Sequence, residues 1–349
     1  MKFFLMLLGI GLGIALGHMP SLLRRKPLWW RWLAITAVTL VTFFALWPPI
    51  AGSYVDAVIA TRAEPTKVLP IYAILTNPVD SGATTRFIGR DVRIPDRQFI
   101  VEAQQNLSVE LKGAGSQPVV VDVSRGSSDV VLVAHHLVSI SPMITLPYIM
   151  GLEERARIIF FHVPMSWIAV IAYLAAMIYG IRYLRSRDLS FDSLMAATAG
   201  VGTLFAVLAT TTGSVWAKFN WGTFWNWDPR QTSIVVLLLI YFALFLFRST
   251  VDDPHKRARL SSVYAIVAFV TVPFLVFVLP RIMPGLHPGS KDDATAGPML
   301  SLQSDTLNPV KQVLFGASLL AFTMVFYWIV GLRARTLEVE RRIQSRRQS

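Results

Sequence analysis

The chain has 349 residues, 54% of them hydrophobic and only 15% charged, with a net charge of +12 and no cysteine. A soluble domain carries roughly a quarter charged residues, so this composition excludes an ordinary soluble enzyme and points to a membrane-embedded protein. The lack of cysteine excludes disulfides, thiolate metal sites and thiol redox chemistry. A basic balance first suggests nucleic acid, but here the charge sits in short segments beside apolar runs: Arg24, Arg25, Lys26 and Arg31; Arg182, Arg185 and Arg187; Lys256, Arg257 and Arg259; and the tail 333–347. Cytoplasmic loops carry this pattern under the positive-inside rule. Membrane lipid is therefore the expected partner, and nucleic acid is not.

In chain order, residues 3–17 form an apolar run of about 15 residues after Lys2, short of the about 20 needed to span a bilayer. The run suits either a signal-peptide core or an uncleaved first helix. The helix is preferred, because the basic run that follows belongs inside. Residues 32–47 are a further span, ended by Pro48-Pro49.

From 51 to about 150 the texture changes to balanced charge and frequent Pro and Gly. `QNLSVELKG` alternates in strand fashion, and `PVVVDVSRGSSDVVLVAHH` predicts two strands around the `RGSS` turn. A β-rich external domain inserted between two helices is expected. The alternative is a membrane crossing at 130–150, where His135, His136, Ser139, Ser141 and Pro142 make a poor lipid-facing surface. His135 and His136 lie on opposite faces of the predicted strand, so both could ligate one metal only across a bulge.

Five more spans follow at 158–181, 195–217, 232–247, 262–280 and 313–332. With the Arg-rich tail inside, `PHKRAR` and `RYLRSRD` also fall inside. `FFHVP`, `WGTFWNWDPRQTS` and the loop 281–312 fall outside. The loop after Pro280 is about thirty residues long, and loops of that length are usually functional or mobile.

`WGTFWNWDPRQTS` places Trp221, Trp225 and Trp227 within one short loop, with Trp216 at the end of the span before it. A single interfacial Trp is normally part of an anchoring belt, but a belt does not need this density. Asp228 is predicted as an N-cap and Pro229 as the first helical residue, with Gln231 completing a capping box. Gly222 allows close backbone approach. The loop is suited to presenting indole faces to a flat apolar ligand.

Of the six histidines, His162 and His287 fall at external span ends, on the face carrying the Trp loop. His18 and His255 are expected to be solvated. Singly, a His at an interface is more often structural than a ligand. A pair beside indoles suits the two axial positions of a haem iron. Lys218, Arg230 or Arg281 could meet the propionates, although headgroup contact explains them equally well.

`WGTFWNWDP`, flanked by spans ending in `FFHVP` and `LHP`, resembles the WWD-domain cytochrome c assembly family, and within it the CcmC type. The resemblance covers about 28–49 and 153–332. It implies haem b (iron protoporphyrin IX) ligated by His162 and His287, with Trp221, Gly222, Trp225, Trp227 and Asp228 holding it. It implies a periplasmic haem chaperone (CcmE-like) as partner, with ABC transporter subunits (CcmA/CcmB-like) and a small membrane subunit nearby. It also implies a bacterial inner membrane location, with the haem site on the periplasmic face.

The expected fold is an all-α polytopic membrane protein, a six-helix core plus an extra N-terminal helix, with an inserted β-rich periplasmic domain. Its parts are 1–50 (two membrane helices), 51–150 (the insert), 151–333 (the haem-handling core) and 334–349 (a basic cytoplasmic tail). The expected role is presenting haem rather than conventional catalysis. A haem lyase or cytochrome c synthase of the CcsA/CcmF type is the main rival, disfavoured because no His falls mid-span. A haem-free channel is the other, disfavoured because the spans carry few polar residues. The insert has no counterpart in the family core, and the resemblance assigns it no role.

Overall fold

The computed structural model describes residues 2–46, 51–92, 96–141, 157–287, 289–291 and 309–348. Two compact units divide the chain, one formed by Met1–Phe43 with Ile158–Ser349 and the other by Phe44–Arg157.

The larger unit is helical. Its elements are α1 (Lys2–His18), α2 (Leu28–Leu46), α5 (Ile159–Ser186), α6 (Leu189–Trp221), α7 (Pro229–Ser249), α8 (Pro254–Pro273), α9 (Leu279–Ile282) and α10 (Pro309–Gln348). Among the described residues six helices are long and apolar enough to cross a membrane: α2, α5, α6, α7, α8 continued through α9, and α10; α1 is shorter. The expected stop at Pro48-Pro49 lies outside the described residues, as does most of the loop after Pro280.

Three of the span starts are written in aspartates. Asp188, Asp228 and Asp253 each accept a backbone N–H in the first turn of α6, α7 and α8, and Pro opens both α7 and α8. These caps satisfy N–H groups that a helix cannot pair internally. At the far end of α6, Gly222 adopts φ +82 as the left-handed cap. Between α8 and α9 the backbone widens into a π turn at Phe274–Val278, between Pro273 and Pro280.

Close packing depends on small side chains. Gly9, Gly13 and Gly17, one turn apart, press α1 onto α10 at Gly316, Thr323 and Tyr327. Gly202 faces Ala172 across α5 and α6, and Gly180 faces Ser262 of α8. Such small-residue seams let helices approach where no water drives them together. In the core, Tyr173 of α5 and Tyr241 of α7 stack with centroids 3.5 Å apart.

The last helix runs furthest past its predicted span. The 40 residues of α10 extend about 60 Å at about 1.5 Å per residue, twice a hydrocarbon core of about 30 Å. The basic tail is its continuation. His18 and His255 are exposed as expected, each against a tyrosine hydroxyl, Tyr179 and Tyr183 respectively.

The smaller unit is a closed five-stranded barrel in the order β1-β2-β3-β5-β4. The strands are β1 (Leu69–Ser81), β2 (Thr84–Asp91), β3 (Gln98–Gln104), β4 (Pro118–Arg125) and β5 (Val131–Ile140), with α3 (Tyr54–Ala63) before them and α4 (Gln105–Gly113) between β3 and β4. Closure comes from parallel pairing of β3 with β5, an arrangement of the OB type. The two strands predicted around `RGSS` are β4 and β5, paired antiparallel. The alternative crossing at 130–150 is not formed over its first half, which is barrel strand; residues 142–150 lie outside the described set.

Within the barrel unit one expectation is overturned: `QNLSVELKG` is the helix α4, not a strand. Leu107 and Leu111 are both buried while Val109 is 67% exposed. Three alternating apolar residues satisfy period 2, but the first and last also satisfy an i,i+4 helical face. His135 sits at a bulge in β5, where the register with β4 shifts. Its ring contacts Ser124, and both His135 and His136 are exposed.

The barrel core includes Ile71, Phe87, Phe99, Val101, Val121 and Leu132, with Tyr54 of α3 stacked on Phe99 at 4.4 Å. On the surface, Asp129 accepts from Arg62 at 2.6 Å and from Arg125 at 2.7 Å. The Arg62 hydrogen bond holds its carboxyl below the ordinary range, so the small stability it contributes is present above that range and fades as pH falls. Phe99→Ala should cost about 3–5 kcal/mol. Limited proteolysis of the full chain should then cut within 69–140 first, and unchanged protection there would show that Phe99 does not support the barrel.

Candidate functional site

Four helix ends of the membrane unit gather the predicted residues: the start of α5, the end of α6, the start of α7 and the segment after α9. His162 lies in the first turn of α5, and its Nδ1 is 2.9 Å from the carbonyl of Ala209 on α6. A carbonyl can only accept, so Nδ1 carries the proton and the neutral ring presents its lone pair at Nε2. Thr212 Oγ1, 3.2 Å away, flanks the same nitrogen. Gly213 makes room for the ring; a Cβ there would lie 2.8 Å from His162 Cε1.

His287 reaches α6 about one turn further along. Its ring stacks on Trp216 at 5.4 Å and meets Trp221 edge-on at 5.8 Å. Trp216 and Trp221 are themselves perpendicular at 5.0 Å, so indoles flank this imidazole on two sides. The two predicted histidines thus lean on neighbouring turns of one helix.

Asp228 sets this arrangement. It is only 5% exposed. Oδ1 caps α7 by accepting from Arg230 N at 2.9 Å. Oδ2 accepts from Leu286 N at 2.8 Å and from His287 N at 3.3 Å. One carboxylate therefore fastens the start of α7 to the backbone of the histidine segment. Gly285 permits the contact, since a Cβ there would fall 2.7 Å from Oδ2. Ser290 closes the segment by donating to Gly285 O at 2.7 Å.

The loop between α6 and α7 differs from its prediction in three ways. The helix ends at Trp221, so Trp225 is not one helical turn beyond it; it pairs instead with Trp227, perpendicular at 5.7 Å. Gly222 faces open space, and its requirement is the positive φ of the helix cap rather than close approach. Gln231 does not close a capping box: its Oε1 accepts from Asn226 N at 2.9 Å and so braces the loop.

Trp227 is 69% exposed and holds φ 54, a strained backbone for a bulky residue. Thr232 Oγ1 donates to its carbonyl at 3.1 Å. Phe219 and Phe224, at the end of α6 and in the loop after it, are also exposed.

The basic residues divide. Lys218 is committed to the Gly222 carbonyl at 2.9 Å, capping α6. Arg230 is close enough to His162 and to Arg281 to interact electrostatically with both. Arg281 is exposed at the end of α9. Ala209, Thr212, Gly213 and Gly285 complete the site without having been singled out in the sequence. Gly213, four residues after Ala209 inside `TTTGSVW`, carries no local signal of its role.

A protein-family model described as Heme exporter protein C matches residues 124–349. The chain belongs to the Heme exporter protein C family. The family match leaves the first two membrane helices and most of the barrel outside it, including residues 28–49. Among curated relatives, Heme exporter protein C of Bradyrhizobium diazoefficiens is 36% identical over 121 residues, 35% of this chain and 46% of the relative. The proteins of the same name from Paracoccus denitrificans and Escherichia coli are 28% and 29% identical over 186 and 190 residues, covering 53% of this chain and 74% and 72% of theirs. The matched region thus spans about half of the first relative and about three quarters of the others.

All the residues tied together above fall inside the family match. Asp228→Ala removes a cap and leaves two backbone N–H groups without their acceptor, a loss of about 2–4 kcal/mol from the two effects together. Asp228→Asn, which keeps one acceptor oxygen, should lose less. Thermal unfolding of the detergent-purified chain ranks the three proteins, and an Asn variant as unstable as Ala would contradict this account of the carboxylate.

Proposed function

We propose that this protein binds haem b as cargo and presents it for cytochrome c maturation, with His162 and His287 as axial ligands. The observation that carries this reading is the delivery of both imidazoles to adjacent turns of α6 by independent anchors, the Ala209 carbonyl for one and the indole pair Trp216 and Trp221 for the other.

The donor set fits this group. Among the described residues no cluster of three or more His, Asp or Glu is placed to hold a bare metal ion. Two imidazoles suffice for an iron whose other four positions a macrocycle supplies. Trp227, Phe224 and Phe219 offer apolar surface to a flat ring, and Arg230 and Arg281 offer charge to its carboxylates. The names of the relatives, Heme exporter protein C, point the same way.

In this reading the chain's contribution is positional. Asp228 holds the His287 segment in register with the Trp loop, and the Ala209 carbonyl fixes the His162 tautomer. The exposed, strained Trp227 faces a partner, a periplasmic haem chaperone (CcmE-like) that receives the cargo. ABC transporter subunits (CcmA/CcmB-like) would act beside it. The membrane is the bacterial inner membrane. The site and the barrel lie on the periplasmic side, and the basic ends of α5, α7 and α10 lie in the cytoplasm.

Haem-loaded protein should give a low-spin, bis-imidazole visible spectrum. His162→Ala and His287→Ala should each turn it high-spin or lose haem, and Gly213→Ala should lower occupancy about tenfold, as displaced ligand supports do. Unchanged spectra in both His variants would refute the ligand assignment.

Because the chain has no cysteine, topology can be read from single introduced thiols. Thr84→Cys at the β1–β2 turn should react with an impermeant maleimide in spheroplasts, and Ser345→Cys only after lysis. The reverse pattern would overturn the orientation.

A further inference from the structure

At the end of the membrane unit away from His162 and His287, the ends of α6, α7, α8 and α10 enclose a polar cleft of about 260 Å³. We propose that this cleft binds the headgroup of a phospholipid carrying both a phosphate and a primary ammonium, a phosphatidylethanolamine.

Three arginines and two carboxylates line the cleft, and their commitments differ. Arg248 is spent on Asp192 through two parallel bonds of 2.6 and 2.9 Å. Arg341 gives one arm to Glu338 at 2.6 Å. Arg257 Nε and Arg341 Nη1 are buried and meet no partner among the described residues. Buried guanidinium donors left unmatched are unfavourable, and a phosphate oxygen is their natural complement. Arg257 stands in the first turns of α8, where the helix end adds its own positive field.

The second charge comes from Glu340. Its only ion pair among the described residues is Arg333 at 3.7 Å, between two half-exposed side chains, a weak arrangement. An ammonium one phosphoester away from the phosphate would neutralise it. A headgroup carrying phosphate alone would leave this carboxylate beside an anion.

The neighbouring surface favours a lipid over a soluble phosphate. Phe242 and Leu246 lie seven and three residues before Ser249, a lining residue, and both are exposed. Leu260, three residues after Arg257, is exposed as well. Such spacings share a helix face, so apolar surface descends from the cleft along α7 and α8, as acyl chains require.

The test is native mass spectrometry and thermal unfolding of the detergent-purified full chain. Added probes are phosphatidylethanolamine, phosphatidylglycerol, phosphatidylcholine and inorganic phosphate. Phosphatidylethanolamine should be retained and should raise the unfolding temperature. Arg257→Gln with Arg341→Gln should weaken retention about tenfold, the loss expected for broken charge-assisted bonds. Glu340→Gln should leave the phosphate contacts intact and shift preference towards phosphatidylglycerol. Equal stabilisation by inorganic phosphate would make this a soluble-anion site and overturn the proposal. Equal retention of all three lipids, unaltered by the substitutions, would mark surface lipid only and overturn it too.

Discussion

A single buried carboxylate holds the candidate site together. Asp228 terminates one helix and fastens a distant segment with the same side chain. A buried acid is costly unless its oxygens are matched, and here backbone N–H groups do the matching. The acid in the Trp-rich stretch is therefore a structural junction, and the aromatic residues around it are placed by it. Trp216 and Trp221 can flank His287 because the segment carrying that histidine is pinned from beneath.

The second organising element is α6. It runs 33 residues without interruption and meets functional groups at both ends. Near its C-terminus it offers a carbonyl, a gap at Gly213 and an indole within two turns, each serving one of the two imidazoles. Near its N-terminus it carries Asp192 and Ser193 to the arginine cleft. The small residues along it allow α5 to pack close enough for His162 to reach the Ala209 carbonyl. Packing and the placement of the His162 ring depend on the same seam.

Much of this was legible in the sequence, for identifiable reasons. The spans were readable because lipid demands length and apolarity, and the start of α7 because Asp-Pro at 228–229 caps a helix by local chemistry, while the like Asp-Pro at 253–254 starts α8 within `PHKRAR`, ahead of the predicted span. Local signals failed where a residue satisfied two patterns or served a distant partner. Leu107, Val109 and Leu111 fit a strand period, and only the burial of the outer two selects a helix. Gln231 had the spacing of a capping box but found the loop backbone instead. Trp225 had helical spacing from Trp221, yet Gly222 ends the helix between them. The roles of Gly213 and Gly285 lie in contacts to His162 and Asp228, both remote in sequence. The Gly9, Gly13, Gly17 spacing was a readable seam, obscured by the shortness of α1. Barrel closure rests on a parallel pairing of β3 with β5 that no local turn announces.

The length of α10 carries a mechanical implication. A stiff rod of about 60 Å, tilted by about 5° around its midpoint, moves each tip by about 2.6 Å in opposite directions. Its early residues, Lys311 and Gln312, are buried at one extremity, while near the other Glu338 accepts from Ser193 of α6 and is braced by Arg341 of its own helix. Whatever leans on one tip is felt at the other as a displacement comparable to a hydrogen-bond length. The larger unit thus contains a lever with an anchored arm at each end of an apolar helix.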